Sequence, residues 1–314
     1  MPRAVVTGGA GFIASHIVDA YVERGWDVTV IDDLSSGVRR NVNRRATLIE
    51  GDVADPAVID RALAGGVDLV NHHAAQIDVR KSVADPAYDA EQNIVASVRL
   101  FSRAAAAGAK KIIFASSGGA GYGEPQFAPQ TEEHPFAPVS PYGIAKVSVE
   151  YYLEFFRNLH GITTTALRYA NVYGPRQRVD GEAGVVAIFG GRILRGEELL
   201  INGDGAQTRD YVFVHDVVRA NMAVSERDLP GAFNVGTGVE TSVTTLASLI
   251  AAAAGKPLHA RHAAAKPGEQ KRSVLDGTRL RSVADLPSPR TLEQGLPETL
   301  LFLREDEQRR ESLP

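Results

Sequence analysis

The run Arg3-Ala4-Val5-Val6-Thr7-Gly8-Gly9-Ala10-Gly11-Phe12-Ile13-Ala14-Ser15 constrains this chain more than any other segment. Arg3 to Thr7 is short and β-branched, and reads as a buried strand. A glycine turn follows at once. Ile13, Ile17, Val18, Tyr21 and Val22 then recur at helical spacing until Gly25 ends the pattern. Such a turn lets the backbone approach a pyrophosphate, and the helix N-terminus behind it supplies free N–H groups and a favourable dipole. Gly8 and Gly11 are the first two glycines of a Gly-x-x-Gly-x-x-Gly pattern. Ala14 replaces the third and is still small enough for close helix–strand packing.

The next strand, Asp27 to Ile31, ends in Asp32-Asp33. An acid about twenty residues past the glycines is placed to accept hydrogen bonds from an adenosine ribose diol. A carboxylate there repels a 2′-phosphate, which favours NAD over NADP. Arg39 and Arg40 pull the other way unless they are only solvated loop charges.

Bulk properties exclude several classes. The chain has 314 residues, enough for one large domain or two closely packed ones. A net charge of −4 without long charged runs suggests neither nucleic acid nor a membrane surface as partner. The absence of cysteine removes disulfides, thiol catalysis and thiolate zinc sites. The first strand leaves no room for a signal peptide, and no apolar run is long enough to span a bilayer, so a soluble cytoplasmic protein is expected.

Strands and helices keep alternating along the chain. Ala46–Glu50, Val67–His72, Lys111–Ala115 and Thr163–Arg168 read as strands; Asp55–Leu63, Pro86–Ala107 and the stretch after Pro141 read as helices. This order predicts a doubly wound α/β fold whose parallel sheet is covered on both faces. Beyond Pro175 the periodicity loosens. A helix is expected from Val185 to Arg195, strands at Leu199–Ile201 and Tyr211–Val214, a strand at Phe233–Gly236 that rejoins the sheet, and a helix at Val243–Ala254. Residues from about 255 onward read as a small lobe with a polar tail.

Tyr142 and Lys146 are spaced Tyr-x-x-x-Lys behind Ser140-Pro141, a natural helix start. Residues four apart share a helix face, so phenol and ammonium can reach one another. On spacing alone the pair is a solvated helix face; a dinucleotide site upstream gives it chemical weight. A phenol with its ordinary pKa of about 10 is a poor base at neutral pH, and nearby positive charge is expected to favour the phenolate.

Together these motifs resemble the extended short-chain dehydrogenase/reductase family, in its NAD-dependent nucleotide-sugar epimerase branch. The landmarks run through Gly51-Asp52-Val53, His73-Ala74-Ala75-Gln76, Ser140 to Lys146, Leu167 to Arg176 and Gly203 to Tyr211. The resemblance implies a Rossmann-type sheet domain over residues 1–173 with returning segments at about 208–254. It also implies a smaller C-terminal α/β substrate-binding lobe from 174–207 and 255–314.

The resemblance further implies a catalytic trio of Ser117, Tyr142 and Lys146. Ser117 is placed by counting from the strand at Phe114; counting back from Tyr122-Gly123 lands on Gly118 instead, and the strand is the firmer geometric anchor. NAD is expected on Gly8, Gly11, Phe12, Ile13, Asp32 and Asp33. Asp52 and Val53 would lie by its adenine, Ala74 and Ala75 along its channel, and Lys81, Asn93, Tyr142, Lys146 and Tyr169 around its nicotinamide half. Asn171, Arg209, Lys266 and Glu269 would hold a nucleotide sugar, expected to be a UDP-hexose. Lys266 replaces an arginine of that pattern, and Ser273 stands where some members carry a bulky aromatic.

The activity implied is C4 epimerisation of the UDP-glucose/UDP-galactose type, possible also with an N-acetylated sugar, through a transient 4-keto intermediate. Related dehydratases, decarboxylases and reductases are the alternative, with a non-catalytic NAD-binding sensor behind them. The loop Gly118-Gly119-Ala120-Gly121 has no acid before Glu124, which favours the epimerase. Family members pair as homodimers through helices corresponding to about 86–107 and 142–159, so a homodimer is expected.

Overall fold

Helices that cross from one strand to the next set the architecture. The computed structural model describes residues 1–179, 184–265 and 270–311, with side chains as far as 309. β1 (Arg3–Thr7) enters α1 (Phe12–Glu23), and β2 (Asp27–Asp32) returns parallel to it. β3 (Thr47–Glu50), α2 (Pro56–Leu63) and β4 (Leu69–His72) continue the alternation. Asp55 caps α2 by accepting from the Ala57 amide. Next come α3 (Val79–Ala84), α4 (Pro86–Ala90), a π turn (Glu91–Val95) and α5 (Ala96–Ala106). β5 (Lys111–Ser117), α6 (Gly118–Tyr122), α7 (Pro141–His160) and β6 (Thr163–Tyr169) follow.

The second half contains β7 (Asn171–Tyr173), α8 (Val185–Leu194), β8 (Leu199–Asn202), β9 (Thr208–Arg209), β10 (Tyr211–Phe213) and α9 (Val214–Glu226). It continues with β11 (Gly231–Val235), β12 (Thr241–Ser242), α10 (Val243–Ala254), β13 (Ala260–Ala263), α11 (Thr278–Ala284) and α12 (Leu292–Glu311). Among the described residues, no helix is long and apolar enough to cross a membrane.

The main sheet runs β11-β6-β5-β4-β1-β2-β3, all parallel. The expected doubly wound sheet is therefore present, and the strand around Phe233 does rejoin it, at the edge beside β6. On one face Ile17, Val18 and Tyr21 of α1 pack with Val217, Ala220 and Val224 of α9. On the other, Ile59 of α2, Leu100 and Phe101 of α5, and Val149, Leu153 and Phe156 of α7 form a second core. A third core joins α8, α10 and α12.

Several elements depart from expectation. The helix expected over 86–107 contains the π turn, and its polar residues Asp89, Asn93 and Ser97 are all buried. Val214, expected in a strand, opens α9 instead. The glycine-rich segment after Ser117 is not a loop but the short helix α6, whose N-terminal Ser117 accepts from the Ala120 amide. The expected polar tail is α12. Its Leu292, Leu296, Leu300 and Leu303 form an apolar stripe that closes the third core.

α10 buries Leu246, Ala247, Ile250 and Ala251 against α8 and α12, on the lobe side. α11 instead seats Leu280 and Ala284 in the first core, beside β11 and α9.

Two glycines are required by close backbone approach. Gly8 has φ of +70°, and a Cβ there would stand 2.9 Å from the Ala74 amide nitrogen. Gly143, in the first turn of α7, lies against the Ala120 carbonyl of α6. Gly8→Ala is expected to lose about 1–2 kcal/mol from backbone strain alone, read as a lower urea midpoint with an unchanged slope. A variant as stable as the parent would show that β1 and β4 are not held this closely.

Candidate active site

The strand order reverses between β1 and β4, and in open α/β sheets such a reversal leaves a crevice above the strand carboxyl ends. Thr7, His72, Ser117 and Tyr169 are the last residues of β1, β4, β5 and β6, so the crevice is lined by them and by the turns that follow.

A directed chain of hydrogen bonds ties its floor together. Thr7 Oγ1 and His72 Nδ1, on paired positions of neighbouring strands, are 2.7 Å apart. His72 Nε2 lies 2.9 Å from Ser97 Oγ, and that hydroxyl donates to the Asn93 carbonyl. Ser97 must then accept from His72 Nε2–H, so Nδ1 is left to accept the Thr7 proton. With its own proton used this way, Thr7 Oγ1 accepts from the amides of His73 and Ala74. Burial, together with the positive charge of Lys146, pushes the His72 imidazole down to about 3, so it stays neutral. One neutral histidine thus fixes the turn that carries Ala74 and Ala75.

The N-terminal side of the crevice fits a dinucleotide. α1 begins at Gly11 without a side-chain cap, leaving its first-turn amides free for an anion. Phe12 and Ile13 are half-buried at this turn, and Phe12 packs into the third core, joining the glycine turn to the lobe. Asp32 is buried and accepts from the Ala10 and Leu34 amides, one on each oxygen. Each oxygen keeps a lone pair for a further donor. Asp33 is exposed and accepts from the amide and hydroxyl of Ser35. Asp52 is exposed beside buried Val53. Arg39 pairs with Glu50 and Arg40 with Asp306, so each arginine already has a carboxylate partner.

The other end of the crevice carries Ser117, Tyr142 and Lys146. Ser140 caps α7 and Pro141 opens it, which puts Tyr142 in the first turn and Lys146 one turn on. Contact between Gly143 and Ala120 holds that turn against α6, which Ser117 begins. Lys146 is only 5% exposed; its Nζ donates to the Ala115 carbonyl at 2.9 Å and lies 5.6 Å from the Tyr142 ring centre.

Burial works against a phenolate here, which leaves the difference to be supplied by positive charge. Burial, reinforced by the negative charge of Asp89, pushes the Tyr142 phenol up to about 12. Burial likewise brings the Lys146 ammonium down to about 8, with Asp89 and Glu150 opposing that fall. In the protein alone, therefore, Tyr142 keeps its proton.

Other expected residues have varied settings. Tyr169 stacks on His73 with centroids 5.9 Å apart, and its hydroxyl accepts from Asn221 at 2.8 Å. Asn93 uses both of its amide protons inside the protein, donating to the Gln76 carbonyl and to Asp89, and accepts from the Gln76 amide. Lys81 is on the exposed side of α3, 4.5 Å over the Tyr88 ring. Asn171 is exposed on β7. Arg209 bonds neither Asp204 nor Asp210; it donates to the carbonyls of Thr208 and Gln270. Lys266 and Glu269 lie outside the described residues. Ser273 is buried with its hydroxyl facing Gly119.

Sequence reading passed over Asp89, Glu150 and Arg168. Glu150 and Arg168 form a buried pair at 2.6 Å, and Glu150 also accepts from Ser116, the neighbour of Ser117. The visible signal for Asp89 was a polar series at Asp89, Asn93 and Ser97, four apart on a helix that is otherwise packed in the core.

Comparison with known proteins agrees with this architecture. Residues 4–236 match the NAD dependent epimerase/dehydratase family. The UDP-glucose 4-epimerase of Mycolicibacterium smegmatis is 42% identical, over 98% of this chain and 100% of that protein. A Thermotoga maritima UDP-glucose 4-epimerase, solved with UDP-glucose, superposes with a TM-score of 0.94 at 45% identity, covering 97% of this chain and 99% of that one. A Methanobrevibacter ruminantium UDP-N-acetylglucosamine 4-epimerase, solved with UDP-N-acetylmuramic acid, gives 0.92 at 37%, with 97% and 99% covered. A parallel sheet with an uncapped glycine turn at its point of reversal, and a Tyr-x-x-x-Lys helix beside it, thus places this chain in the NAD dependent epimerase/dehydratase family.

Proposed function

We propose that this protein interconverts the C4 epimers of a UDP-hexose, using a resident NAD in the crevice described above. The observation that carries this reading is Tyr142 and Lys146 on one turn of α7, held against the helix that Ser117 begins. The glycine turn, Asp32 and Asp33 would hold the adenosine half of the cofactor, with Ala74, Ala75 and Tyr169 along the remainder. The pairing of Arg39 and Arg40 with carboxylates supports NAD over NADP. Bound there, NAD supplies a reversible hydride acceptor for the sugar C4.

The chain's residues manage the proton. Once positive charge in the crevice has ionised its phenol, Tyr142 takes the proton from the C4 hydroxyl, and Ser117 hydrogen-bonds the same oxygen and relays the proton to the phenolate. Lys146 steadies the ionised phenol during the exchange. The 4-keto sugar then turns in the site and offers its other face. A phenol that keeps its proton until positive charge arrives ties base strength to cofactor occupancy. Asn171 and Arg209 are proposed to face the diphosphate, and Lys266 and Glu269 to complete that end. In this reading the sheet domain carries the cofactor, and the lobe around the third core carries the nucleotide.

The segment that follows Ser117 carries no acid before Glu124 that could remove a second proton. Glu124, the first acid after it, accepts from the amides of Lys271 and Arg272. That favours epimerisation over dehydration. The small residue Ser273 and the similarity to an N-acetylhexosamine epimerase support acceptance of both UDP-glucose and UDP-N-acetylglucosamine.

We also propose that the protein acts in the cytoplasm as a homodimer. Ile144, Tyr151, Phe155 and Leu159 form an exposed apolar stripe on α7, and Val95 is exposed on the neighbouring helix. Such a contiguous stripe is unusual for a monomer.

The direct test is incubation with a panel of sugar nucleotides, with products read by NMR and no reductant added. Tyr142→Phe is expected to slow turnover roughly a thousandfold while calorimetry shows NAD affinity retained; full activity in that variant refutes the proton assignment. Tyr151→Glu with Phe155→Glu should leave a monomer in sedimentation, and a parent already monomeric would refute the dimer.

Lys146 provides a stability test as well. Its folded pKa of about 8 lies below the unfolded value of 10.5, so the unfolded chain binds more protons across that window and stability rises with pH through it. Below it, the buried ammonium costs roughly 3 kcal/mol. Lys146→Met should therefore be inactive and should lose the Lys146 contribution to the rise in stability between pH 8 and 10.5. A rise as large as the parent's in that variant would refute a lowered Lys146 pKa.

A further inference from the structure

Asp89 sits where a structural reading of its helix would put an apolar residue. It is 1% exposed, in the last turn of α4, and faces α7, the helix of Tyr142 and Lys146. Its Oδ1 accepts two hydrogen bonds, from Gln76 Nε2 and Asn93 Nδ2, each at 2.9 Å. Both donors are neutral amides. Its Oδ2 is buried and has no hydrogen-bond partner. A carboxylate kept this dry is costly unless a positive charge nearby favours it.

The surrounding charges identify that partner. From α7 the groups toward Asp89 are Tyr142 and Lys146. His72 and His73, at the end of β4, lie toward Lys146 and are held neutral, each pushed down to about 3. On α3, Lys81 and Arg80 are exposed, Lys81 over Tyr88, and Asp78 caps the helix. Glu91, at the start of the π turn, is exposed. The second anion toward Lys146 is Glu150, whose charge is matched by its bidentate pair with Arg168. Burial pushes the Asp89 carboxyl up, and among the described residues the cationic charge acting against that is Lys146.

We propose that Asp89 is a positioning residue of this active site: anchored by Gln76 and Asn93, it is the counter-charge that keeps Lys146 protonated beside Tyr142. It does so from behind the site, without touching the reacting atoms. Its charge also acts on the phenol. The same anion that holds the ammonium charged opposes ionisation of Tyr142, so it helps keep the base protonated until positive charge enters the crevice. The clamp has a second consequence. Gln76 continues the turn bearing Ala74 and Ala75, so the carboxylate and the channel floor are fixed by the same bonds.

The proposal rests on the epimerase reading for its catalytic consequence but not for its electrostatic core, so two readouts separate them. Asp89→Asn keeps an oxygen for both amide donors and removes only the charge. In protein labelled with carbon-13 at the lysine ε-carbon, the Lys146 resonance, assigned by its loss in Lys146→Met, should titrate at lower pH in Asp89→Asn. The expected fall is roughly one unit, the scale for losing an opposite charge in a desolvated site. Asp89→Glu should keep the parent midpoint, and thermal unfolding reports whether either variant is misfolded.

If the parent epimerises a sugar nucleotide, the whole pH–rate profile of Asp89→Asn should move toward acid, because phenol and ammonium both lose the same anion. If the parent turns over nothing, the epimerase reading falls and the lysine titration still decides the role of Asp89. A Lys146 midpoint unchanged in a folded Asp89→Asn protein overturns the proposal. So does a midpoint that falls equally in Asp89→Glu, which would leave Asp89 as a structural clamp alone.

Discussion

Reversal of strand order between β1 and β4 is the constraint on which the rest depends. Helices on opposite faces of the sheet diverge there, and the carboxyl ends of four strands are left without a covering crossover. Everything polar in the site is explained by what those ends need. Thr7 closes β1 by satisfying the His73 and Ala74 amides, His72 closes β4 by bridging Thr7 and Ser97, and Ser117 closes β5 by capping α6. Groups that finish secondary structure and groups that do chemistry are therefore side by side, and several do both.

Desolvation is the dominant force within that crevice. It holds His72 neutral, keeps a proton on Tyr142 and weakens the hold of Lys146 on its own proton. Opposing charges are few and placed at a distance, while Glu150 and Arg168 cancel locally. The site is consequently far from its own electrostatic optimum when alone, and a cationic ligand ring would meet surroundings already arranged to benefit from it. Such stored disadvantage is common where stability is exchanged for activity.

The sheet was readable from sequence because strand, glycine turn and helix each have a local cause. Thr7, Gly8, Asp32 and Tyr142 stand where short-range pattern puts them. What escaped is what tertiary contact decides. α6 has almost no intrinsic helix propensity across Gly118, Gly119 and Gly121, and exists because Ser117 caps it and Gly143 packs on it. Lys81 and Asn93 matched a family pattern; Lys81 is exposed and Asn93 is buried with both amide protons given to Gln76 and Asp89, a difference no spacing reveals. The leucine stripe of α12 was legible in principle but hidden among charged neighbours. Charge balance around Lys146 draws on α4, α7 and β4 together, and so becomes visible only once they are folded against each other.

Phe12 and α12 share one apolar cluster, and Asp306 of that late helix pairs with Arg40 in the loop after β2. The glycine turn and the loop after β2 are thus completed by a segment that follows Arg40 by 266 residues. A nascent chain can pair its early strands during synthesis, but the junction between glycine turn and lobe has to wait until α12 has emerged. Ligand capture that needs this junction therefore comes after α12 is made and cannot guide the folding of the early strands.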